Sequence, residues 1–150
     1  MNKRPFLKEF LASMSKCYNL VLFTASYREY AEKILNTFDP KSEFIVNVLT
    51  RDNCTKVNNN HVKDFRIVGN NSIQKEDLLM LDNKVISFAY NMFQGIPILP
   101  YYNDNTDTEL RDIIPFLTFL STAKDVKYEL KQRYRYSYDR TQFLTFKGKS

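Results

Sequence analysis

The sequence predicts an α/β layered domain with a mainly parallel sheet. Two short, wholly apolar runs, LVLF at residues 20–23 and LLML at residues 78–81, are typical of strands covered on both faces. Segments with apolar residues at helical spacing alternate with these runs. Such alternation is the pattern of a parallel sheet with helices packed on it. A chain of 150 residues is long enough for one domain with a single core.

The first half of the chain predicts two helices around the LVLF strand. Pro5 suits the first turn of a helix. The apolar residues that follow it at helical spacing are Phe6, Leu7, Phe10, Leu11 and Met14. Ser26 and Glu29 have the Ser-x-x-Glu spacing of a capping box, which predicts the start of the second helix. Its apolar face comprises Tyr27, Tyr30, Ala31, Ile34, Leu35 and Phe38.

The second half predicts a hairpin, two more strands and a further helix. Residues 44–63, with a turn at residues 58–60, are interpreted as an antiparallel hairpin inserted into the sheet. Residues 96–99 follow LLML as a third apolar run, and Pro97 favours a place at the sheet periphery. A second capping box, formed by Thr106 and Glu109, opens a helix that we expect to be broken or kinked at Pro115.

Composition and charge narrow the class of protein. The chain is 43% hydrophobic and 26% charged, which indicates a folded globular protein. No stretch reaches the roughly 20 apolar residues that span a bilayer, and we expect no membrane span. The N-terminus lacks the apolar core of a signal peptide. Cys17 and Cys54 lack CxxC spacing, which favours free thiols in a reducing compartment.

The net charge of +5 divides the chain. Residues 124–150 hold 8 Lys and Arg against 3 Asp and Glu, whereas residues 1–123 are balanced. Residues 133–150 have no clear period, and we predict a basic, partly disordered tail there, after a domain at residues 1–132. Arginine alternates with tyrosine in KQRYRYSYDR, a pattern that can contact nucleic acid or an acidic partner. A solvated basic end is the simpler interpretation, so nucleic acid is not our expected partner.

Polar residues at predicted strand ends are the candidates for chemistry. Thr24 follows LVLF, where its hydroxyl and the amides of the next helix could hold a phosphate. Asp82 and Asn83 follow LLML and offer the oxygen ligands that suit Mg²⁺. Lys63, in HVKDF, could neutralise a phosphoryl group. Ligands bind beyond the carboxyl ends of strands in open parallel sheets.

Each candidate also has a simpler interpretation. Thr24 can be an ordinary residue at the end of a strand, and Asp82 with Asn83 can form a turn. Lys63 and Arg51 can be solvated surface charges. His61, the one histidine of the sequence, is expected to be structural or exposed. The order of these residues along the chain favours function over the simpler interpretations.

That order resembles a known family. RPFLKEFL, VLFTAS, TRDNC, HVKDF, LLMLDNKVISF and NDNTDTELRDIIPFL together resemble the FCP/SCP-type phosphatase domain of the haloacid dehalogenase superfamily, which includes NLI-interacting-factor-like and Dullard-like phosphatases. The resemblance runs from Arg4 to Gln132. It implies a Rossmannoid three-layer sandwich with a small inserted hairpin. It also implies an Mg²⁺-dependent phosphatase acting on phosphorylated Ser/Thr-Pro-rich segments, such as the RNA polymerase II C-terminal tail, in the nucleus or cytoplasm.

The resemblance assigns roles to five residues. Thr24 corresponds to a phosphate ligand, and Lys63 to the lysine that neutralises the phosphoryl group. Asp82 and Asn83 correspond to the metal-binding pair, with Asn83 a direct ligand and Asp82 acting through water. Arg51 corresponds to an arginine of the inserted hairpin near the substrate groove.

The sequence departs from the family at its first motif. The family's nucleophile and general acid belong to a DxDxT strand that precedes the first helix, whereas the first aspartate here is Asp39, beyond Thr24. An aspartyl-phosphate mechanism requires that carboxylate, so the chain as given is expected to be inactive, or to be a fragment of an active enzyme. The missing strand belongs at the centre of the sheet, between LVLF and LLML. Those two strands then close on each other, another polypeptide fills the gap, or the sequence is a fragment.

Two functional hypotheses follow from this departure. One is the serine/threonine phosphatase domain without its first motif. The alternative is a non-catalytic module that binds polypeptide, such as a pseudophosphatase scaffold or the mitochondrial translocase subunit that carries the same domain.

Overall fold

The computed structural model of the protein describes residues 2–68 and 73–134. In this part of the chain four α-helices surround three small sheets, so the predicted mixed α/β class is confirmed. The helices are α1 (Leu7–Met14), α2 (Arg28–Phe38), α3 (Glu109–Leu120) and α4 (Val126–Arg133). The strands are β1 (Leu20–Phe23), β2 (Ile45–Leu49), β3 (Thr55–Val57), β4 (Asn60–Val62), β5 (Met80–Asp82) and β6 (Gly95–Pro97).

The strands form three pairs. β1 pairs with β2 and β5 with β6, both in parallel, whereas β3 and β4 form an antiparallel hairpin. Asn58 in the hairpin turn has a φ of 55°, a left-handed conformation that asparagine tolerates. The predicted hairpin at residues 44–63 was therefore too long. Its first part, β2, belongs to the parallel pair with β1 because α2 carries the chain back across that pair.

Asp39 directs the chain from α2 into β2. Its carboxylate accepts the backbone N–H groups of Glu43, Phe44 and Ile45 at 2.7, 3.1 and 2.8 Å. Burial acts to raise the pKa of Asp39, but these three hydrogen bonds hold that pKa below its usual value. Asp39 is thus a structural anchor at the amino end of β2.

Both predicted capping boxes were wrong. α2 begins at Arg28, and its N-terminal flanking residue is Tyr27, whose side chain makes no capping hydrogen bond. α3 begins at Glu109, and Thr106 instead donates its hydroxyl to Asp104 at 2.7 Å. In the second case the threonine is satisfied within its loop before the helix starts.

The predicted break at Pro115 was wrong because α3 is continuous there, and the alternative of a kink stays a prediction. α3 continues through Pro115, which lies on the exposed face of the helix. The carbonyl that loses its donor at a proline can then be hydrated, while Leu110, Leu117 and Leu120 on the opposite face stay buried.

Two apolar clusters form the core. The first joins the helices to the strands through Met14, Ile96, Leu117, Leu120 and Leu130. The second, smaller cluster comprises Phe65, Met80 and Phe88. A Cβ added at Gly95 would lie 2.1 Å from Phe88 Cδ2, so β6 can pass this ring only as glycine.

β1 is less covered than its sequence predicted. Val21 is 38% exposed, and no residue of LVLF is fully buried. Within the described residues, β1 has a strand neighbour on one side, which is β2. β1 and β5 belong to different pairs, so these two strands are not hydrogen-bonded to each other in the described residues, and the prediction that a strand is missing between them stays a prediction.

Two further predictions concern the chain ends and the membrane. The predicted basic tail at residues 133–150 lies outside the described residues from 135 onward. Of the helices that the structure describes, none is both long and apolar enough to cross a bilayer.

Candidate functional site

Lys63 and Asp82 form a buried ion pair at the carboxyl end of β5. Lys63 follows β4 directly, and its backbone N–H donates to the carbonyl of Ser87 at 2.8 Å. Its ammonium donates to Asp82 Oδ2 at 2.5 Å, and the two side chains are 12% and 8% exposed. Asp82 Oδ1 accepts the N–H of Lys84 at 2.8 Å. The ion pair thus joins the inserted hairpin to the end of β5, and Lys63 is not the solvated lysine of the simpler interpretation.

Thr24 lies at the end of β1. Its N–H donates to the carbonyl of Leu49 at 2.9 Å, which extends the pairing of β1 with β2 by one residue. Its hydroxyl oxygen accepts the N–H of Ser26 at 3.1 Å, so the threonine also stabilises the turn that follows. The Lys63 ammonium lies 5.8 Å from the ring centroid of Phe23, the residue before Thr24. The ends of β1 and β5 therefore meet at Lys63.

Arg51 holds the loop at residues 24–27. Its N–H donates to the carbonyl of Ser26 at 3.0 Å, and its Nε donates to the carbonyl of Ala25 at 2.7 Å. The guanidinium carbon lies 4.2 Å from the ring centroid of Tyr27, an exposed tyrosine. Arg51 is therefore a positioned cation with a partly exposed guanidinium. Tyr27 was predicted on the apolar face of α2, and its contact with Arg51 places it at this site instead.

Cys54 lies among the charged residues of the site. Burial raises the pKa of the Cys54 thiol, while the charges of Lys63 and Arg51 act to lower that pKa and Asp82 acts to raise it. Sequence reasoning treated Cys54 only as a free thiol. The usable signal was its spacing: Arg51 opens a 3₁₀ turn, and residues three apart in such a turn lie on the same side.

Asn83 and His61 lie at the margin of this group. The Asn83 side chain is exposed, in contrast to the buried Asp82 beside it. His61 is half-buried in β4, opposite Lys56 in the hairpin.

The residues present do not fit a magnesium site by themselves. Both oxygens of Asp82 already accept hydrogen bonds, one of them from an ammonium group. Among the described residues no cluster of three His, Cys, Asp or Glu side chains could hold a metal ion. Mg²⁺ is bound by several oxygens in octahedral geometry, and one carboxylate paired with a lysine does not provide them.

The arrangement favours binding of an anion. Two cations, Lys63 and Arg51, and one carboxylate, Asp82, act on Cys54, and Arg51 also contacts the loop at residues 24–27. A phosphate could be held by one cation and by hydroxyl or amide donors of that loop.

Comparison with known proteins relates most of the described region to phosphatases. The sequence profile of NLI interacting factor-like phosphatases matches residues 1–127. CTD small phosphatase-like protein 3 of Caenorhabditis elegans is 39% identical over 133 residues, which are 88% of this chain and 45% of the relative. Carboxy-terminal domain RNA polymerase II polypeptide A small phosphatase 1 of Homo sapiens is 34% identical over 130 residues, 87% of this chain and 48% of the relative. The chain thus spans less than half the length of these two curated relatives.

A solved structure agrees with this fold. The fission yeast RNA polymerase II CTD phosphatase Fcp1, bound to beryllium fluoride, superposes with a TM-score of 0.58 at 18% sequence identity. The match covers 88% of this chain and 38% of that structure. At this level of identity the likeness establishes the fold, which is the haloacid dehalogenase-like arrangement predicted from the motifs.

Proposed function

The chain belongs to the NLI interacting factor-like phosphatase family, as its motifs predicted, and we propose that it binds a phosphorylated serine or threonine of a protein partner. The phosphate binds at the shared end of β1 and β5, where Lys63 neutralises it and Thr24 with its loop donates hydrogen bonds. Arg51 and Tyr27 flank the peptide on the side of α2. The expected partner is an extended, Ser/Thr-Pro-rich segment.

One observation carries this proposal, namely the place of the Lys63 ammonium. It lies beside the ends of both strands, 2.5 Å from Asp82 Oδ2 and 5.8 Å from the Phe23 ring centroid. A lysine has three rotatable N–H donors on a flexible stem, so it can change hydrogen-bond partner more readily than the rigid guanidinium of an arginine can. Lys63 can therefore turn one donor toward a phosphate while it keeps Asp82 as counterion.

We propose that these 150 residues bind phosphate esters without hydrolysing them. Hydrolysis through an aspartyl-phosphate requires a carboxylate that attacks phosphorus. Asp39, the first aspartate of the sequence, lies at the amino end of β2. Its carboxylate accepts three backbone N–H groups, so it is engaged in a structural role and not in the site at Thr24. Asp82 is the ion-pair partner of Lys63. Neither carboxylate is free to act as a nucleophile.

Magnesium is not a part of this proposal. Phosphatases of this superfamily generally use Mg²⁺, and Asp82 and Asn83 were expected to bind it. We propose instead that Asp82 acts as the counterion of Lys63, since its two oxygens are already engaged.

The proposal is tested by isothermal titration calorimetry with a synthetic phosphoserine-proline peptide. We expect the phosphopeptide to bind and its unphosphorylated form to bind at least about tenfold more weakly, since a hydrogen bond to a charged group contributes about 1.5–3 kcal/mol. Lys63→Met should abolish this preference. Lys56→Met is the matched control, because Lys56 is an exposed lysine of the same hairpin and should have little effect.

Two outcomes would contradict the proposal. Equal binding of both peptides would favour the alternative, a module that recognises polypeptide irrespective of phosphate. Release of inorganic phosphate from the phosphopeptide, with or without added Mg²⁺, would show that the chain does contain a competent nucleophile.

The nuclear or cytoplasmic localisation expected from the family stays a prediction, which fluorescence microscopy of the tagged protein would check.

A further inference from the structure

A cleft of about 340 Å³ lies next to the end of the hairpin. It is called the Arg66 cleft below, and the described residues that line it are Asp64, Arg66, Tyr90 and Asn91. Its volume is in the range of small-ligand sites, which combine a concave surface with a few well-placed polar groups. The described lining does not include Thr24, Lys63 or Arg51, so the cleft is distinct from the site proposed for phosphate.

Asp64 and Tyr90 hold the guanidinium of Arg66 in place. The two oxygens of the buried Asp64 carboxylate accept Arg66 Nε at 3.0 and 2.8 Å, and Oδ2 also accepts Nη2 at 2.5 Å. The guanidinium carbon lies 5.5 Å from the ring centroid of Tyr90. The Arg66 side chain is nevertheless 69% exposed. A side chain that is held before a ligand arrives loses less conformational freedom on binding, so Arg66 is prepared for a ligand.

The contacts with Asp64 use one edge of the Arg66 guanidinium. An arginine carries five N–H groups in a rigid planar fork. Asp64 accepts from the edge formed by Nε and Nη2, whereas Nη1 lies at the other end of the fork. Because most of the side chain is exposed, a second acceptor can reach that end without displacing Asp64. A planar carboxylate matches this geometry.

Asn91 contributes a further donor to the Arg66 cleft. Its backbone, at φ −137° and ψ 47°, interrupts the 3₁₀ segment Val85–Gln94. Its Nδ2 is buried, and among residues 2–68 and 73–134 the structure places no hydrogen-bond acceptor beside it. A buried amide donor without an acceptor is unfavourable. An acceptor supplied by a ligand in the cleft would remove this cost.

The charges of the Arg66 cleft select among possible ligands. Arg66 Nη1 and Asn91 Nδ2 are donors, and the carboxylate of Asp64 is already engaged with Arg66. These donors disfavour a cationic ligand. A phosphate dianion would be repelled by Asp64 more strongly than a group with a single negative charge. The lining therefore favours a singly charged, planar acceptor.

We propose that the Arg66 cleft binds a carboxylate group. One carboxylate oxygen accepts from Arg66 Nη1 and the other from Asn91 Nδ2, while the exposed ring of Tyr90 contacts the carbon chain that carries the carboxylate. The group belongs to a small organic acid or to an acidic side chain of a polypeptide, and the experiment distinguishes these two sources. The proposal does not depend on phosphate binding.

NMR titration of the ¹⁵N-labelled 150-residue chain tests the proposal through the side-chain amide signals of Asn91. The probes are sodium succinate and the peptide acetyl-Ala-Glu-Ala-amide, in phosphate-free buffer. We expect a saturable shift of the Asn91 signals, and the probe with the lower Kd identifies the source. The matched peptide acetyl-Ala-Gln-Ala-amide should bind about three- to tenfold more weakly, because hydrogen bonds to a charged acceptor are stronger than those to a neutral one.

The variant Asn91→Leu separates a role in binding from a role in the fold. It should lower the affinity for the preferred probe at least about threefold, because one donor is lost. Its urea midpoint should stay unchanged or rise, because an unpaired donor contributes no hydrogen bond to the fold. A residue with a structural role would instead lower that midpoint.

The variant Arg66→Gln removes the charged donor. It should weaken binding at least about tenfold, whereas Arg28→Gln, at an exposed arginine of α2, is the matched control and should have little effect. Arg66→Gln also leaves the buried Asp64 without this counterion, so its fold is checked by circular dichroism. If that fold is lost, the natural chain and Asn91→Leu still provide the test.

Three results would overturn the proposal. The first is the absence of a saturable shift at Asn91 with both acids, and the second is equal affinity for the Glu and Gln peptides. The third is an Asn91→Leu variant that keeps the full affinity or loses stability. Asn91→Leu should bind the phosphoserine peptide as the natural sequence does. Failure of that peptide to bind would leave the carboxylate titration unaffected, so the two proposals are tested separately.

Discussion

Two buried ion pairs of the molecule differ in how they are held. Arg4 and Asp107 are 13% and 11% exposed, and Lys63 and Asp82 are 12% and 8% exposed. Arg4 donates twice to Asp107, at 2.9 and 2.7 Å, and a third time to the carbonyl of Leu99 at 2.7 Å. Lys63 contributes one ammonium contact to Asp82. The two pairs are therefore similarly buried but differ in geometry. Arg4 and Asp107 form a fixed clamp, whereas Lys63 and Asp82 form an adaptable contact.

The difference teaches which pair is structural. Arg4 joins the start of the chain to the loop before α3, 103 residues away in sequence. Its planar fork matches the carboxylate and has little freedom to choose another partner. Arg4 holds the pKa of Asp107 below its usual value. The Lys63 pair lies instead where two strands end and anions could approach, as a site requires.

Removal of the clamp should give the largest effect on stability. Asp107→Ala leaves a buried guanidinium without its carboxylate, and we expect the free energy of unfolding to fall by about 3–5 kcal/mol. Urea denaturation measures this change. Asp52→Ala, at an exposed aspartate, is the control and should change it by less than about 0.5 kcal/mol. If both variants unfold alike, Arg4 and Asp107 do not form a structural clamp.

Asp39→Ala should destabilise the protein by about 2–3 kcal/mol. Three backbone N–H groups lose a charged acceptor, and hydrogen bonds to charged groups contribute more than neutral ones. Thermal unfolding followed by circular dichroism provides the measurement. Asp39→Asn, which keeps one acceptor oxygen, should recover part of the loss; no recovery would mean that these hydrogen bonds are not the cause.

Acid should remove the contributions of Asp107 and Asp39 to stability. The pKa values of Asp107 and Asp39 are lowered in the folded protein, so their contribution is fully present above about pH 3.9, the ordinary value of an aspartate. It is lost as the pH falls through their folded pKa values, because both carboxylates must then be protonated. Urea midpoints at a series of pH values should show a steep fall below about pH 4. Asp107→Asn should show a shallower fall of the urea midpoint with pH. An unchanged slope would mean that the Asp107 carboxylate does not contribute to the acid sensitivity.

Removal of the Lys63 charge should affect stability less than removal of the clamp. We expect Lys63→Met to lower the free energy of unfolding by about 1–2 kcal/mol, because Asp82 keeps the N–H of Lys84 and lies at a strand end. The double variant Lys63→Met with Asp82→Leu should lie within about 1 kcal/mol of the natural sequence, because no charge is then left unpaired. If the double variant loses as much free energy of unfolding as Asp107→Ala does, the Lys63 pair is as structural as the Arg4 pair.

An exposed ion pair provides the lower limit of this series. Arg28 and Glu32 lie 3.8 Å apart on α2, and both side chains are more than half exposed. Glu32→Gln should change the free energy of unfolding by less than about 0.5 kcal/mol. Differential scanning calorimetry at low and high salt would detect a larger, salt-dependent shift, which would mean that the pair is better ordered than its exposure implies.

Local patterns in the sequence predicted much of the fold. The apolar runs at residues 20–23 and 78–81 gave β1 and β5, the latter shifted by one to two residues toward Asp82. The asparagine turn placed the hairpin bend. The first capping box failed because Tyr27, and not Ser26, flanks the start of α2. The second failed because Thr106 bonds to Asp104 within its loop. The break at Pro115 failed because only burial shows that this proline faces solvent.

The candidate site was predicted in part. The sequence indicated Thr24, Lys63, Asp82, Asn83 and Arg51 from their positions and from the family resemblance. It could not show that Lys63 and Asp82 are paired, that Arg51 bonds to the carbonyl of Ala25, or that Cys54 lies among them. These contacts join residues 19 to 26 positions apart, or depend on the turn between them.

The sequence by itself determined the alternation of helices and strands, the family, and the residue types at the strand ends, because strand and helix periodicity and motif order are local properties of the chain. The tertiary structure alone decided that β1 and β5 share two cores without sharing hydrogen bonds, and which charges meet at their common end. Packing between distant segments fixes those relations, and no pattern within one segment encodes them.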